Sequence, residues 1–219
     1  MCIRDSFNVV IPVHQEIATK VVWESPWNSS GHHGDHGTMV AGIVGASTNN
    51  NTDIASLGWN TSLMLAEWGY TYINDLVEQG ADIINFSWVT TYDSPTLSEI
   101  IRNTLQRGII CIASSGNVEV PIPGMRYPAG YNFGSLGQVI AVSATEMNNS
   151  TERFIPYYNY SPGTNLSSTG FIDFAAPGSN YRGLSWYSVS GTQHVWEGTS
   201  IAAPFVSALV ALMLSVNST

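Results

Sequence analysis

Short apolar runs alternate with amphipathic segments through the middle of the chain. The apolar runs have the length and composition of buried strands, and they cover residues 63–68, 83–88, 109–113 and 139–144. Helical periodicity lies between them at residues 73–79 and 97–106, and Ser94-Pro95 and Gly108 supply the start and stop signals of the second helix. We therefore expect an α/β fold, a three-layer, doubly wound, mostly parallel sheet whose sites lie at the carboxyl ends of strands.

Composition limits the function classes. The chain has 219 residues, 44% hydrophobic and 11% charged, which suits a single domain with a sizeable core. A net charge of −9 with only seven Lys and Arg argues against nucleic acid as a partner. No apolar run is expected to reach the length of a membrane span. Two cysteines do not make a disulfide framework, and Cys111 is expected to be buried.

One stretch combines hydroxyl residues with a helix start. Residues 198–204 read Gly-Thr-Ser-Ile-Ala-Ala-Pro and precede an apolar run to residue 216. The pattern predicts a helix with Ser200 at its N-terminus and Pro204 in the first turn, where a missing N–H costs nothing. Free N–H groups and the positive end of the helix dipole would lie beside the Ser200 hydroxyl. From these residues alone Ser200 is either a helix cap or a nucleophile beside an anion-stabilising site.

Two further motifs change that balance. Residues 35–42 read Asp-His-Gly-Thr-Met-Val-Ala-Gly, and residues 113–117 read Ala-Ser-Ser-Gly-Asn. Together with residues 198–204, in this order and spacing, they resemble the subtilisin-like serine proteases. The resemblance extends over residues 14–216, and it implies a subtilisin-like fold and a serine endopeptidase that acts on polypeptides.

The resemblance also implies roles for individual residues. Ser200 would be the nucleophile and His36 the general base. The Ser200 N–H and the Asn117 side-chain amide would form the oxyanion hole. Taken alone, Gly116-Asn117 is typical of an ordinary turn.

Two strand ends correspond to substrate-binding segments of the family. Ser87, Trp88 and Val89 follow one predicted strand, and Ser115 and Gly116 follow the next. Ser87 matches the family pattern, whereas Val89 stands where glycine is usual, which alters the expected shape of the pocket. For Trp88, simple packing is the alternative interpretation.

The start of the chain departs from the family pattern. Asp5 is the one candidate for the acid of the triad, at a distance from His36 close to the family's. No apolar strand is recognisable before Asp5. The alternative is that the acid was lost together with a missing first strand. Residues 1–6 are interpreted as a non-native leader, and residues 7–219 as a peptidase domain that is incomplete at its N-terminus.

Two segments suggest metals. The Asn-rich residues 47–53 lie where relatives often have a calcium loop, so the resemblance implies a structural calcium ion, with a plain polar turn as the alternative. His32, His33, Asp35 and His36 could bind a metal, but the glycines among them favour a loop entering a helix. The implied peptidase chemistry requires no cofactor.

A rival class remains open at this point. The absent aspartate motif and the altered residues after Ser87 would also suit a catalytically inactive subtilisin-like domain, acting as a binding module or an inert fragment. A metalloenzyme built on the histidine cluster is a third reading. By family resemblance alone we expect a secreted monomer.

Overall fold

The computed structural model describes residues 2–4, 14–26, 35–67, 69–117, 126–155, 172–185 and 192–216. The helices are α1 (Gln15–Ala18), α2 (Asp35–Gly45), α3 (Tyr70–Glu78), α4 (Pro95–Gln106) and α5 (Thr199–Val216). The strands are β1 (Cys2–Arg4), β2 (Val21–Glu24), β3 (Leu63–Ala66), β4 (Ile83–Phe86), β5 (Ile110–Ser114), β6 (Ile140–Asn148), β7 (Thr151–Phe154), β8 (Phe174–Pro177), β9 (Tyr181–Leu184) and β10 (Thr192–Trp196). The strands and helices expected in the middle of the chain all form, with ends shifted by a few residues.

A mostly parallel sheet organises the described residues. Its strand order is β2-β3-β1-β4-β5-β6-β7, and β8 also pairs with β6. All pairs in this sheet are parallel except the pairing of β6 with β7, and a separate antiparallel hairpin joins β9 to β10. The predicted α/β architecture with a mostly parallel sheet is thus confirmed.

Neighbouring residues of one strand enter two different cores. Ile83 packs into the core that contains α2 and α5, whereas Ile84 packs into the core that contains α3 and α4. Ile112 and Cys111 on β5 divide in the same way. Because successive side chains of a strand point to opposite faces, this division means that helices cover both faces of the sheet.

The expectation that the first strand is missing is wrong for this backbone. Cys2–Arg4 forms β1 in the middle of the sheet, parallel to β3 on one side and to β4 on the other. Without it, the facing edges of β3 and β4 would leave buried N–H and C=O groups unpaired. Backbone pairing of this kind depends little on side chains, so an absent apolar pattern did not reveal the strand. Whether residues 1–6 are a non-native leader stays a prediction.

Small residues bring α2 close to its neighbours. A Cβ placed on Gly42 would lie 2.8 Å from the Leu184 side chain, and one on Gly45 would lie 2.7 Å from Leu63. The absence of side chains at these two positions therefore lets α2 lie close to β9 and β3.

The position of Pro204 requires a correction. Helix α5 begins at Thr199, so Pro204 lies in its second turn and not in the first.

By length and composition, α5 is also long and apolar enough to cross a membrane, contrary to the expectation that no such run exists. It packs against α2, β4, β5, β6 and β8, and the core helix of a soluble protein passes the same test of length and composition.

Candidate active site

Ser200 is the second residue of α5 and is half-buried. Its N–H is one of the first four of the helix, which have no acceptor within the helix itself. The Ser200 Oγ donates a hydrogen bond of 3.1 Å to the Ser87 carbonyl oxygen. Because α5 begins at Thr199, Ser200 lies inside the helix, and the interpretation of Ser200 as its cap is wrong.

Asn117 is fixed through one end of its amide. Its Oδ1 accepts hydrogen bonds from the Thr199 N–H at 2.9 Å and from the Thr199 Oγ1 at 2.7 Å. Thr199 Oγ1 in turn accepts from the Gly116 N–H at 3.0 Å. With Oδ1 satisfied by Thr199, the Nδ2 group is the end of the amide that can donate to a ligand. The loop after β5 and the start of α5 are thereby held together.

Gly198 leaves room for that Nδ2 group. Its φ of +141° lies in a region that side-chain-bearing residues rarely adopt. A Cβ at this position would lie 2.8 Å from Asn117 Nδ2. A glycine directly before Thr199 and Ser200 is therefore required by both the backbone conformation and the close approach of the amide.

His36 is the second residue of α2. Its ring packs edge-on against Trp196, with 6.2 Å between ring centroids. Trp196 ends β10, four residues before Ser200, and α2 packs against α5. The structure thus brings His36 to the segment that leads into α5. Hydrogen-bond reach between His36 and Ser200 Oγ stays a prediction.

The remaining N-terminal candidates lie outside the described residues. These are Asp5, His32 and His33, and the Asp35 side chain is also not described. Asp5 follows β1 directly in the sequence, and β1 is a central strand of the parallel sheet. Among the residues that the structure describes, no group of three His, Cys, Asp or Glu side chains could hold a metal ion.

The predicted substrate segment follows β4. Ser87 and Trp88 are buried, and Trp88 packs edge-on against Phe86 at 6.0 Å between ring centroids, which favours a packing role for this ring. Val89 is half-buried. Thr90 exchanges two backbone hydrogen bonds with Tyr127, of 2.8 and 2.9 Å, so the segment becomes part of a backbone pair beyond Val89.

Ser115 and Gly116, the second predicted substrate segment, follow β5. Ser115 is fully buried, and its N–H bonds to the Val142 carbonyl at 2.9 Å, which extends the pairing of β5 with β6 by one residue. Gly116 has a φ of +103° and turns the chain toward Thr199. This turn is what carries Asn117 to the start of α5.

The Asn-rich loop is anchored by Glu16 of α1. The buried Glu16 carboxylate accepts from Asn50 Nδ2 at 2.8 Å on Oε2 and from Thr52 Oγ1 at 2.9 Å on Oε1. Asn50 Oδ1 accepts from the Thr52 N–H at 3.2 Å, an arrangement that flipping the amide would break. Asn49 and Asn51 have positive φ, a conformation that asparagine tolerates well.

This arrangement lends no support to a calcium site. Calcium binds six to eight oxygens whose lone pairs face one ion. Here both oxygens of Glu16 face N–H and O–H donors, and the Asn50 amide oxygen faces an N–H. The contacts favour the alternative interpretation, a polar turn, and they identify Glu16 as its anchor.

Two titratable groups, His14 and Cys111, are buried. Burial lowers the pKa of His14, opposed by the nearby charges of Asp53 and Glu16. His14 Nδ1 accepts from the Glu16 N–H at 3.2 Å, so the neutral ring caps α1 and carries its proton on Nε2. Burial raises the pKa of the Cys111 thiol to about 12, which makes it unreactive, as expected for a buried small residue.

Three polar residues were missed by sequence reasoning: Thr199, Asn85 and Ser207. Thr199 lies inside the motif at residues 198–204, and its hydroxyl orients the Asn117 amide. Asn85 is a fully buried amide within the otherwise apolar β4, and that break in pattern was the available signal. Ser207 had no signal, because it is a serine in a helix.

Known proteins resemble this chain in sequence as well as in fold. The subtilase family model, peptidase S8, matches residues 13–219. Thermitase from Thermoactinomyces vulgaris is 31% identical over 92% of this chain and 70% of its own length. The major intracellular serine protease of Bacillus subtilis is 30% identical over 82% of this chain. The chain spans 55% of that Bacillus subtilis protein and 26% of the minor extracellular protease Epr of the same species.

Solved structures show the same fold. Fervidolysin from Fervidobacterium pennivorans superimposes with a TM-score of 0.80 at 21% identity, over 100% of this chain and 36% of fervidolysin. Sphericase gives a TM-score of 0.79 at 20% identity, over 100% of this chain and 78% of sphericase. The family model matches nearly the whole length, and the fold agrees. The chain therefore belongs to the subtilase family of serine proteases.

Proposed function

We propose that the chain is a serine endopeptidase that hydrolyses peptide bonds through an acyl-enzyme on Ser200. The observation that carries this proposal is the arrangement at the start of α5. There a serine hydroxyl, the Ser200 N–H in the first turn of the helix and an amide with its oxygen already satisfied lie together. Such a site can stabilise negative charge that develops on a carbonyl oxygen.

The reaction proceeds by acyl transfer. Ser200 Oγ attacks the carbonyl carbon of the peptide bond while its proton passes to His36. The tetrahedral intermediate carries a negative oxygen, which the Ser200 N–H and Asn117 Nδ2 bind. Collapse of this intermediate breaks the C–N bond, and His36 gives its proton to the leaving amine. Water then releases the acyl group by the same steps, so the protein ends unchanged.

Asp5 is the proposed partner of His36, holding the imidazole in the correct tautomer. Its place directly after a central strand of the sheet supports this role. Ser87, Trp88 and Val89 are proposed to border the substrate, together with Ser115 and Gly116. The Val89 side chain, at a position where glycine is usual in the family, narrows the proposed substrate-binding cleft. The enzyme acts as a monomer, without nucleic acid or membrane. Secretion is proposed on family resemblance alone, because the relatives include both an extracellular and an intracellular protease.

The test is hydrolysis of a general protein substrate such as casein by the chain and by Ser200→Ala. If Ser200 and His36 act as a unit, the substitution lowers kcat by about 10⁶-fold. Ser215→Ala is the matched control, because Ser215 lies on the same helix and its Oγ bonds only to its own helix, at Leu212. Equal hydrolysis by the chain and by Ser200→Ala would refute the role of Ser200, and no hydrolysis by the unsubstituted chain would favour the inactive binding module.

A further inference from the structure

Pro204 deprives the Ser200 carbonyl of its hydrogen bond within α5. In an α-helix, the carbonyl of each residue accepts from the N–H four residues later. For Ser200 that residue is Pro204, which has no N–H. The Ser200 carbonyl therefore needs a donor from outside the helix, since leaving a carbonyl unpaired away from water is unfavourable.

Ser87 supplies the missing donor. Its Oγ donates a hydrogen bond of 2.9 Å to the Ser200 carbonyl oxygen. In return, the Ser200 Oγ donates to the Ser87 carbonyl at 3.1 Å. Two residues that are far apart in the sequence thus exchange hydrogen bonds, one through each hydroxyl and each backbone carbonyl.

Ser87 is itself the last donor of a directed series. Ser207 Oγ donates to Asn85 Oδ1 at 2.9 Å, and Asn85 Nδ2 donates to Ser87 Oγ at 2.9 Å. Ser207 and Asn85 are 0% exposed and Ser87 is 1% exposed, so water does not compete with these bonds. Every donor in the series points the same way, toward Ser200, and each bond polarises the next.

The geometry points to a positioning role for this series. We propose that Ser207, Asn85 and Ser87 hold the main chain of Ser200 in its reactive position by replacing the hydrogen bond that Pro204 cannot donate. The consequence for catalysis depends on the proposed function, because it requires Ser200 to be the nucleophile. None of the three side chains takes part in a bond-making step, so they are positioning residues.

Core packing alone does not account for the series. Ser207 also lies 3.1 Å from the Ala203 carbonyl, a local bond that would satisfy its hydroxyl without Asn85. The other members of β4, including Ile83, Ile84 and Phe86, are apolar and fully or almost fully buried. An apolar residue at position 85 would suit that environment, whereas an asparagine links Ser207 on one side to Ser87 on the other.

The first test reads the Ser200 carbonyl directly. Ser200-Ile201 is the only Ser-Ile pair in the sequence, so labelling serine with ¹³C at the carbonyl and isoleucine with ¹⁵N gives one NMR cross-peak for this peptide bond. Ser87→Ala removes the donor, and the carbonyl signal moves upfield. In Ser87→Ala combined with Pro204→Ala, residue 204 has an N–H again, and the signal returns toward its original position.

The second test reads the consequence for the nucleophile. Ser87→Ala lowers kcat about tenfold with little change in KM, which corresponds to about 1.4 kcal/mol in the barrier. Pro204→Ala restores most of that loss in the double variant, so the two effects do not multiply. Ser207→Ala gives a smaller loss of the same kind, and Ser215→Ala, the control on the same helix, gives none.

The outcomes separate this inference from the proposed function. An unchanged carbonyl signal in Ser87→Ala overturns the inference, as does a kcat loss in Ser87→Ala that Pro204→Ala leaves in place. Identical behaviour of Ser207→Ala and Ser215→Ala would contradict the part assigned to Ser207. If the unsubstituted chain shows no peptidase activity, the proposed function fails, and the NMR signal alone decides whether the series holds Ser200.

Discussion

Two polar regions of the molecule use side-chain hydrogen bonds for different purposes. In the reactive corner, formed by Ser87, Asn117, Thr199 and Ser200, the Asn117 amide is fixed through Oδ1 only, and its Nδ2 lies over Gly198. In the loop clamp, formed by His14, Glu16, Asn50 and Thr52, both carboxylate oxygens of Glu16 are taken by donors from the loop.

The difference separates a group that holds a loop in place from a group that can bind a ligand. A carboxylate whose two oxygens each accept a hydrogen bond from the loop ties that loop to a helix. An amide held only through its oxygen is oriented, and its NH₂ group can still donate to a ligand. The comparison predicts that replacing only the Asn117 donor in the reactive corner changes turnover at constant stability, and that substitutions in the loop clamp change stability at constant turnover.

The largest effect is expected at Asn117. Asn117→Asp keeps Oδ1 as the acceptor for Thr199 but replaces the donor Nδ2 with an oxygen. We expect kcat to fall by about 10²–10³-fold, the size typical for loss of one oxyanion-hole donor in subtilisin-like enzymes, with KM nearly unchanged. Asn117→Leu removes the Thr199 contacts as well, so it should also lower the Tm.

Measuring kcat, KM and Tm for both Asn117 variants separates the two roles of the amide. If Asn117→Asp keeps its kcat and loses only thermal stability, Asn117 is a turn residue and the reactive corner does not bind an oxyanion.

The next effect is expected at Glu16, in stability alone. Glu16→Gln replaces one carboxylate oxygen with an NH₂ group, which opposes either the Asn50 amide or the Thr52 hydroxyl. Loss of a hydrogen bond to a charged group costs about 1–3 kcal/mol. In a chain of this size the Tm falls by roughly 2–4 °C per kcal/mol. Thermal unfolding followed by circular dichroism measures it.

Glu99→Gln is the control for that measurement, because the Glu99 carboxylate is exposed and lies 3.8 Å from Arg102. An exposed pair of this kind contributes about 0–1 kcal/mol. Equal Tm values for the two Gln variants, or a loss of kcat in Glu16→Gln, would remove the contrast between the two regions.

A smaller effect is expected from the pH dependence of the loop clamp. The His14 pKa in the folded chain lies below its ordinary value of 6.5, so the unfolded chain takes up a proton first as the pH falls. The stability contributed by neutral His14 is complete above pH 6.5 and is lost as the pH falls below it. Protonation would also remove the Nδ1 lone pair that accepts from the Glu16 N–H.

His14→Asn is the matched variant for this effect, since asparagine caps helices well and does not titrate. We expect its Tm to change less between pH 7 and pH 5 than that of the unsubstituted chain. Parallel curves of Tm against pH would show that His14 does not titrate in this way.

The smallest effect is expected on removing calcium. Because the Glu16 oxygens and the Asn50 amide oxygen already face donors, EDTA should leave the Tm unchanged, and added calcium should not raise it. A calcium-dependent rise in Tm that disappears in Glu16→Gln would show that the loop clamp opens to bind the ion, as the family resemblance implied.

Local patterns predicted the parts of the fold that depend on local physics. Helix α4 begins at Pro95 with Ser94 as its cap, as its sequence signals indicated, because capping involves only residues close in the chain. The motifs likewise pointed to Ser200 and Asn117, which the structure brings together through Thr199.

Contacts across long sequence separations could not be predicted in this way. Glu16 meets Asn50 and Thr52 across more than thirty residues, and Ser207 meets Asn85 across 122. No periodicity encodes such pairings, because they depend on how strands and helices are arranged in three dimensions. The helix start was displaced for a related reason: Pro204 is tolerated in the second turn because Ser87, distant in sequence, satisfies the carbonyl that proline leaves unpaired.

The most direct test of the account is acylation of the nucleophile. A fluorophosphonate reagent modifies a serine hydroxyl only where a base removes its proton and an oxyanion site stabilises the adduct. We predict one adduct per chain in the intact mass, located on Ser200 by peptide mapping, and strongly slowed labelling in His36→Ala. No adduct, or an adduct on another serine at the same rate in His36→Ala, would contradict the assignment of the reactive corner as a catalytic site.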